Sequence, residues 1–186
     1  GNDVRLAGQY HVKAGNASTY DLDLVIGQLQ LKSVEGLSMN NISNASGYLS
    51  GNIKFNGSLQ NPNINGKLNF NKTAMTVTYL NSYFTIDQES IVVDNKGLSF
   101  DTFTIKDSAG NAIVIDGMAA SSNFRNYNFD LRVTANDFRA INTTKRQNSL
   151  FYGAVYIDSE MQITGTETRP SVDGSLTILD KTDFTF

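Results

Sequence analysis

The chain has 186 residues, of which 40% are hydrophobic and 18% charged, with a formal net charge of −3. That length supports one sizeable core and that composition excludes a disordered chain. With no basic cluster longer than Lys145-Arg146, it also excludes a firm grip on a nucleic-acid backbone. Cysteine is absent, which removes disulfides and thiolate sites and is compatible with an oxidising periplasm. No apolar run reaches the length of a membrane-spanning helix, and no signal peptide is visible.

In chain order, VRLAGQYHVKAG predicts a strand followed by a turn around Gly15 and Asn16. YDLDLVIGQLQLKSVEGL alternates through Leu22, Leu24 and Ile26 and then loses that period. Its later apolar positions, Leu29, Val34 and Leu37, with Gly36 near a C-cap, predict a short helix covering one end of a sheet. From Gly47 the β pattern is continuous. Leu49, Gly51, Ile53 and Phe55 oppose Ser50, Asn52, Lys54 and Asn56, so one face is apolar and the other wet.

The only two prolines then mark two copies of one motif. GSLQNPNINGKLNF runs over 57–70 and GTETRPSVDGSLTI over 165–178, an offset of 170 − 62 = 108 between Pro62 and Pro170. Proline cannot donate to a sheet ladder and pushes its predecessor into extended geometry, so each is expected at a strand start or an edge. After it, Ile64, Gly66, Leu68 and Phe70 share a face, as do Val172, Gly174, Leu176 and Ile178. Such a recurring unit reads as a repeated β-building element.

Further strands are predicted at 75–80, 83–87, 90–93, 98–106, 112–119, 127–135 and 154–165, with turn chemistry at 95–97, 109–111 and 123–126. Within them Phe129, Leu131 and Val133 share one apolar face, and Val155, Ile157 and Met161 another. Connections this short enforce antiparallel neighbours. The expected fold is all-β: a long antiparallel meander curled into a folded-over sheet or half-pipe with an apolar interior, one short helix near the N-terminus, and residues 1–186 as a single β domain. The abrupt start at Gly1 and the strand-like finish LTILDKTDFTF read as a piece of a longer chain, with Gly1 left by tag removal.

No constellation supports catalysis. His11 is the only histidine, which removes histidine triads and most zinc sites; it reads as a solvent-facing strand residue. Asp107, Asn111 and Asp116 lack the twelve-residue calcium-loop pattern, and the Ala109-Gly110-Asn111 stretch fits a hairpin turn. Asp21 and Asp23 share a wet strand face, and the Asn-x-Ser/Thr triplets follow from an asparagine-rich composition. GxGxxG, GxxxxGK[ST] and GxSxG are absent. Neither a cofactor nor a metal is expected.

The stretch VEGLSMNNISNASGYLSGNIKFNGSLQNPNINGKLNF, then YLNSYFTI, IVVDNKGLSFDTFTIKDSAGNAIVIDG, FDLRVTANDF and AINTTKRQNSLFYG, resembles the C-terminal region of TamB-like translocation and assembly modules, in the Bacteroidetes-type form. The likeness runs from about Val34 to the end, and Asn142-Thr143-Thr144 with Leu150-Phe151-Tyr152-Gly153 is its most specific part. It implies an AsmA-related envelope protein, anchored in the inner membrane, whose β region spans the periplasm toward an outer-membrane β-barrel of the assembly-factor type. The role it implies divides between moving phospholipid to the outer membrane and assisting insertion of outer-membrane proteins or autotransporters, and the leading reading is a non-enzymatic conduit for phospholipid acyl chains. The alternatives are a chaperone-like scaffold for outer-membrane protein or autotransporter assembly by strand addition, and a carbohydrate-binding or adhesin sandwich. On the conduit reading the groove candidates are Ile53, Phe55, Ile64, Leu68, Phe70, Phe129, Leu131, Val133, Val155, Ile157, Met161, Val172, Leu176 and Ile178. Pro62, Gly51, Gly66, Pro170 and Gly174 are strand-start or bend positions.

Overall fold

Period-two alternation carried through long segments produces long strands, and here nearly every segment obeys it. A computed structural model of the chain describes residues 1–12, 18–58, 61–122 and 124–186; the expected turn at Gly15 and Asn16, the Leu59-Gln60 part of the first motif copy and Asn123 of the 123–126 turn lie outside the described residues. The order is β1 (Asp3–His11), β2 (Thr19–Gln30), the helix α1 (Leu31–Glu35), β3 (Ile42–Ser58), β4 (Pro62–Val77), β5 (Ser82–Ile86) and β6 (Ser90–Asp94). Next come β7 (Gly97–Lys106), β8 (Ala112–Ala120), β9 (Asn128–Thr143), β10 (Tyr152–Thr166), β11 (Arg169–Ile178) and β12 (Asp183–Thr185). Among the described residues all twelve strands belong to one antiparallel sheet, ordered β1-β2-β3-β4-β5-β7-β8-β9-β10-β11, with β6 pairing β4 and β7 and β12 pairing β10. This is the expected all-β meander with its short helix.

Several element boundaries differ from expectation. Of the apolar positions expected in the helix only Val34 lies in it: β2 continues through Leu29 to Gln30, α1 covers Leu31–Glu35, and Leu37 falls in the turn after it. The β pattern expected from Gly47 starts at Ile42. Residues 75–80 do not start a new strand: β4 runs unbroken to Val77, splitting its outer edge between β6, at Asn65–Asn69, and β5, at Thr73–Val77. The strand expected at 127–135 continues to Thr143, and three residues past the second motif copy pair with β10 as β12.

The sheet curls back on itself at the end next to α1. There β5 meets β9 although β7 and β8 stand between them in sheet order. The Ser82 hydroxyl donates to the Ala140 carbonyl at 2.9 Å, the Asn142 N–H donates to the Leu80 carbonyl at 3.0 Å, and the Phe84 and Phe138 rings stack at 5.4 Å. The buried core gathers in this half: Leu31, Ala45, Ala74, Ile86, Phe103, Val133, Ala135 and Phe138. Phe103 stands edge-on to Phe70 at 5.2 Å and to Phe100 at 5.8 Å. Outside it, the buried apolar side chains among the described residues are Ile26 and Ala119.

Bulges produce the curl. Asn44, Lys72, Thr102 and Asp137 have φ of 52°, 48°, 47° and 51° inside β3, β4, β7 and β9, left-handed geometry that kinks a strand and raises its twist. Carboxylates hold three of these places. Asp116 accepts from the Thr102 N–H at 2.6 Å, Asp158 from the Asp137 N–H at 2.7 Å, and Glu35, on α1, from the Ala45 N–H at 2.8 Å.

Asp107 shows why the 107–111 segment is a turn rather than an ion loop. Its buried carboxylate accepts from the backbone N–H groups of Ala109 (2.8 Å), Asn111 (3.0 Å) and Arg139 (2.8 Å), tying the β7–β8 hairpin to β9. Burial pushes its pKa up, but donation from Arg139, Ala109 and Asn111 outweighs this and holds it below the ordinary carboxylate value. A depressed folded pKa contributes stability that is present above the unfolded value, about 3.9, and is lost as pH falls through the folded one. Asp107→Asn is therefore expected to destabilise the fold by about 1–3 kcal/mol at neutral pH. Urea titrations should show the gap from the parent shrinking below about pH 4.

Candidate apolar groove

The sheet register turns strand alternation into continuous lines of side chains. Taking β6 as the link between β4 and β7, one line of partnered residues runs Leu6, Leu24, Ile53, Gly66, Val93, Leu98, Ala119, Phe129, Gly165 and Pro170. The next runs Val4, Ile26, Gly51, Leu68, Ile91, Phe100, Gly117, Leu131, Ile163 and Val172. Neither contains a polar residue. At the usual strand spacing each spans about 43 Å of arc. A shorter line, Leu22, Phe55 and Ile64, lies beyond them toward the end away from α1.

Most inner members of these lines are half-buried, whereas Asn52, Lys54, Asn63, Asn65, Lys67, Asp130 and Arg132 on the opposite face are exposed. The apolar face is thus turned inward by the curl without being sealed in this half of the molecule. An Asn63–Asn56 and Asn95–Asn63 amide chain, at 2.8 Å each, dresses part of the outer face. Asp23, one of the two strand carboxylates, is ion-paired with Lys54 at 3.3 Å.

The nineteen positions singled out from sequence fall into distinct places. Ile53, Phe55, Ile64, Leu68, Phe129 and Leu131 are half-buried members of the lines in the open half. Met161 pairs with Val133 on one side and Gly174 on the other. Val133 is buried, Phe70 packs against Phe103, and Val155 and Ile157 pair with Ile141 and Phe138 in the curled end. Val172, Leu176 and Ile178 stand on the edge strand β11 and are more than half exposed. Pro62 pairs with Gly57 and Pro170 with Gly165, so both motif copies close a hairpin at the same register, on glycines with φ of 105° and 87°.

Glycines keep the lines shallow where strands crowd. A Cβ on Gly51 would lie 2.1 Å from the Lys67 carbonyl oxygen, on Gly66 2.3 Å from that of Asn52, and on Gly174 2.1 Å from that of Glu160. The neighbouring strand already fills the space that a side chain would take. Sequence reasoning passed over Ile91, Phe100, Ile163 and Gly117. All four lie in predicted strands, and the three apolar side chains carried the same alternation signal.

Among the described residues no group of three or more His, Asp or Glu could hold a metal ion, and no helix is long and apolar enough to cross a membrane. A family model described as the TamB C-terminal domain matches residues 1–96 and 101–185. No curated protein and no solved structure matches the chain. With that match covering nearly its whole length, the chain belongs to the TamB family of envelope translocation and assembly modules.

Proposed function

We propose that the open half of the curled sheet is a periplasmic conduit for phospholipid acyl chains and works without catalysis. It would form part of a longer protein anchored in the inner membrane and reaching an outer-membrane β-barrel of the assembly-factor type. The carrying observation is the pair of ten-residue apolar lines, free of any polar residue and with most inner members half-buried. An acyl chain laid across them leaves water at about 0.8 kcal/mol per methylene, while the head group stays outside the curl. Directional transfer then requires only weak binding repeated along the lines. Lipid extraction of the chain purified from the bacterial envelope, read by mass spectrometry, tests this: phospholipid is expected to co-purify with the folded protein, and lipid-free protein counts against the reading.

A second reading rests on the sheet edges. Every residue of β1 and of β11 is exposed, and their outer sides offer unpaired backbone groups beside apolar side chains, the arrangement that accepts an added strand. This favours a scaffold role in barrel or autotransporter assembly. Crosslinks from β1 and β11 to a client strand, with no lipid at the inner face, would select it over the conduit.

A further inference from the structure

The curled end carries a second apolar surface unconnected with the inner lines. Three adjacent turns form it, linked by hydrogen bonds: the Thr78 N–H donates to the Asn41 carbonyl at 3.0 Å, the Asn81 amide to the Asn142 carbonyl at 2.7 Å, and the Gln147 amide to the Asn81 side chain at 2.9 Å. Large apolar side chains project from all three turns: Leu37 (81% exposed) and Met39 (89%) from the first, Tyr79 (64%) from the second and Leu150 (77%) from the third. Tyr79 continues into a line of rings, meeting Phe151 at 5.2 Å, which in turn meets Phe184 at 5.8 Å.

Leucine and methionine at turn tips gain nothing from water, and hairpin turns are ordinarily polar. Here they accompany cations. Lys145 and Arg146 are exposed on the same 144–151 loop, with the Lys145 ammonium 5.9 Å from the Tyr152 ring centre, and Lys181 lies 4.3 Å over the Tyr156 ring. Lys181 is already ion-paired with Asp137, so among the described residues the unpaired rim cations are Lys145 and Arg146; the other carboxylates nearby are Glu35, which accepts from Lys32 and the Ala45 N–H, and Asp183 on β12. Apolar tips with tyrosines at their base and cations at their rim match a bilayer interface, where rings sit at head-group level and cations meet lipid phosphate.

We propose that the curled end docks on a phospholipid bilayer surface, with Leu37, Met39, Tyr79 and Leu150 entering the interface and Lys145 and Arg146 contacting anionic head groups. The inner lines then open away from the membrane contact. Docking of this kind stands whether or not the groove carries lipid.

Flotation of the purified chain with protein-free vesicles of phosphatidylethanolamine and phosphatidylglycerol tests it, with phosphatidylcholine vesicles alongside. The parent is expected to float with the anionic vesicles and to be released by salt. Met39→Asp combined with Leu150→Asp should weaken binding about tenfold or more, and Lys145→Glu with Arg146→Glu by roughly fivefold per charge. All four positions are exposed, so the thermal melts should match the parent, and Val92→Asp, an exposed apolar position on the outer face, should float as the parent does. The proposal is overturned if the parent fails to float, or if flotation survives the tip substitutions and falls instead with Leu131→Glu in the groove.

Discussion

Phe103→Ala is expected to cost about 3–5 kcal/mol in urea unfolding and to lower the melting temperature by on the order of 10 °C. Phe103 is 4% exposed and stands edge-on between Phe70 and Phe100, where the sheet passes from its open half to its curled end. Truncation leaves a hole that rigid strands cannot close, so a cavity cost adds to the lost transfer energy. Ile178→Ala makes the contrast. Its side chain is 62% exposed on β11, and its removal is expected to stay within about 0.5 kcal/mol. Comparable losses at the two positions would show that the core does not lie where it is described.

The second large effect concerns the lines themselves. Leu131 stands between Gly117 and Ile163 in its line, on a half-buried surface. A carboxylate there can reach water with the fold intact, but would sit where an acyl chain must lie, and burying it unpaired under a lipid is prohibitive. Leu131→Glu is therefore expected to leave the circular dichroism spectrum unchanged and to lower co-purified phospholipid about tenfold or more. Asn128→Glu, on the exposed outer face, should retain the parental lipid content. Loss of lipid in both variants would point to a general effect of negative charge rather than to the line.

Much of this architecture was legible because alternation fixes which face a residue takes. Ile53 with Phe55, Ile64 with Leu68, and Phe129 with Leu131 share a face within their strands for that reason alone, and the two proline motifs announced two hairpins whose closing pairs, Gly57 with Pro62 and Gly165 with Pro170, proved equivalent. Alternation says nothing about level along a strand, which separates Val133, buried in the curled half, from Leu131, half-buried two residues earlier. Neither does it show that Val172, Leu176 and Ile178 fall on an edge. The bulges were hidden for another reason. Asn44 and Asp137 belong to types that tolerate left-handed geometry, but Lys72 and Thr102 do not, and the Asp116 carboxylate that stabilises Thr102 lies fourteen residues away on the next strand. The sequence placed Leu37 in the helix and Tyr79 in the strand at 75–80, whereas both stand exposed in turns; only the folded chain brings them to one end with Met39 and Leu150.

The most direct test of the conduit is photo-crosslinking in cells, in the full-length protein, with probes at Ile53, Phe129 and Leu131 on the inner lines and at Asn69 and Asn128 as polar-face controls. The conduit predicts phospholipid adducts, identified by mass, at the three inner positions and not at the controls. An abundant, folded protein with no phospholipid at any inner position, or with equal labelling at Asn69 and Asn128, would contradict it.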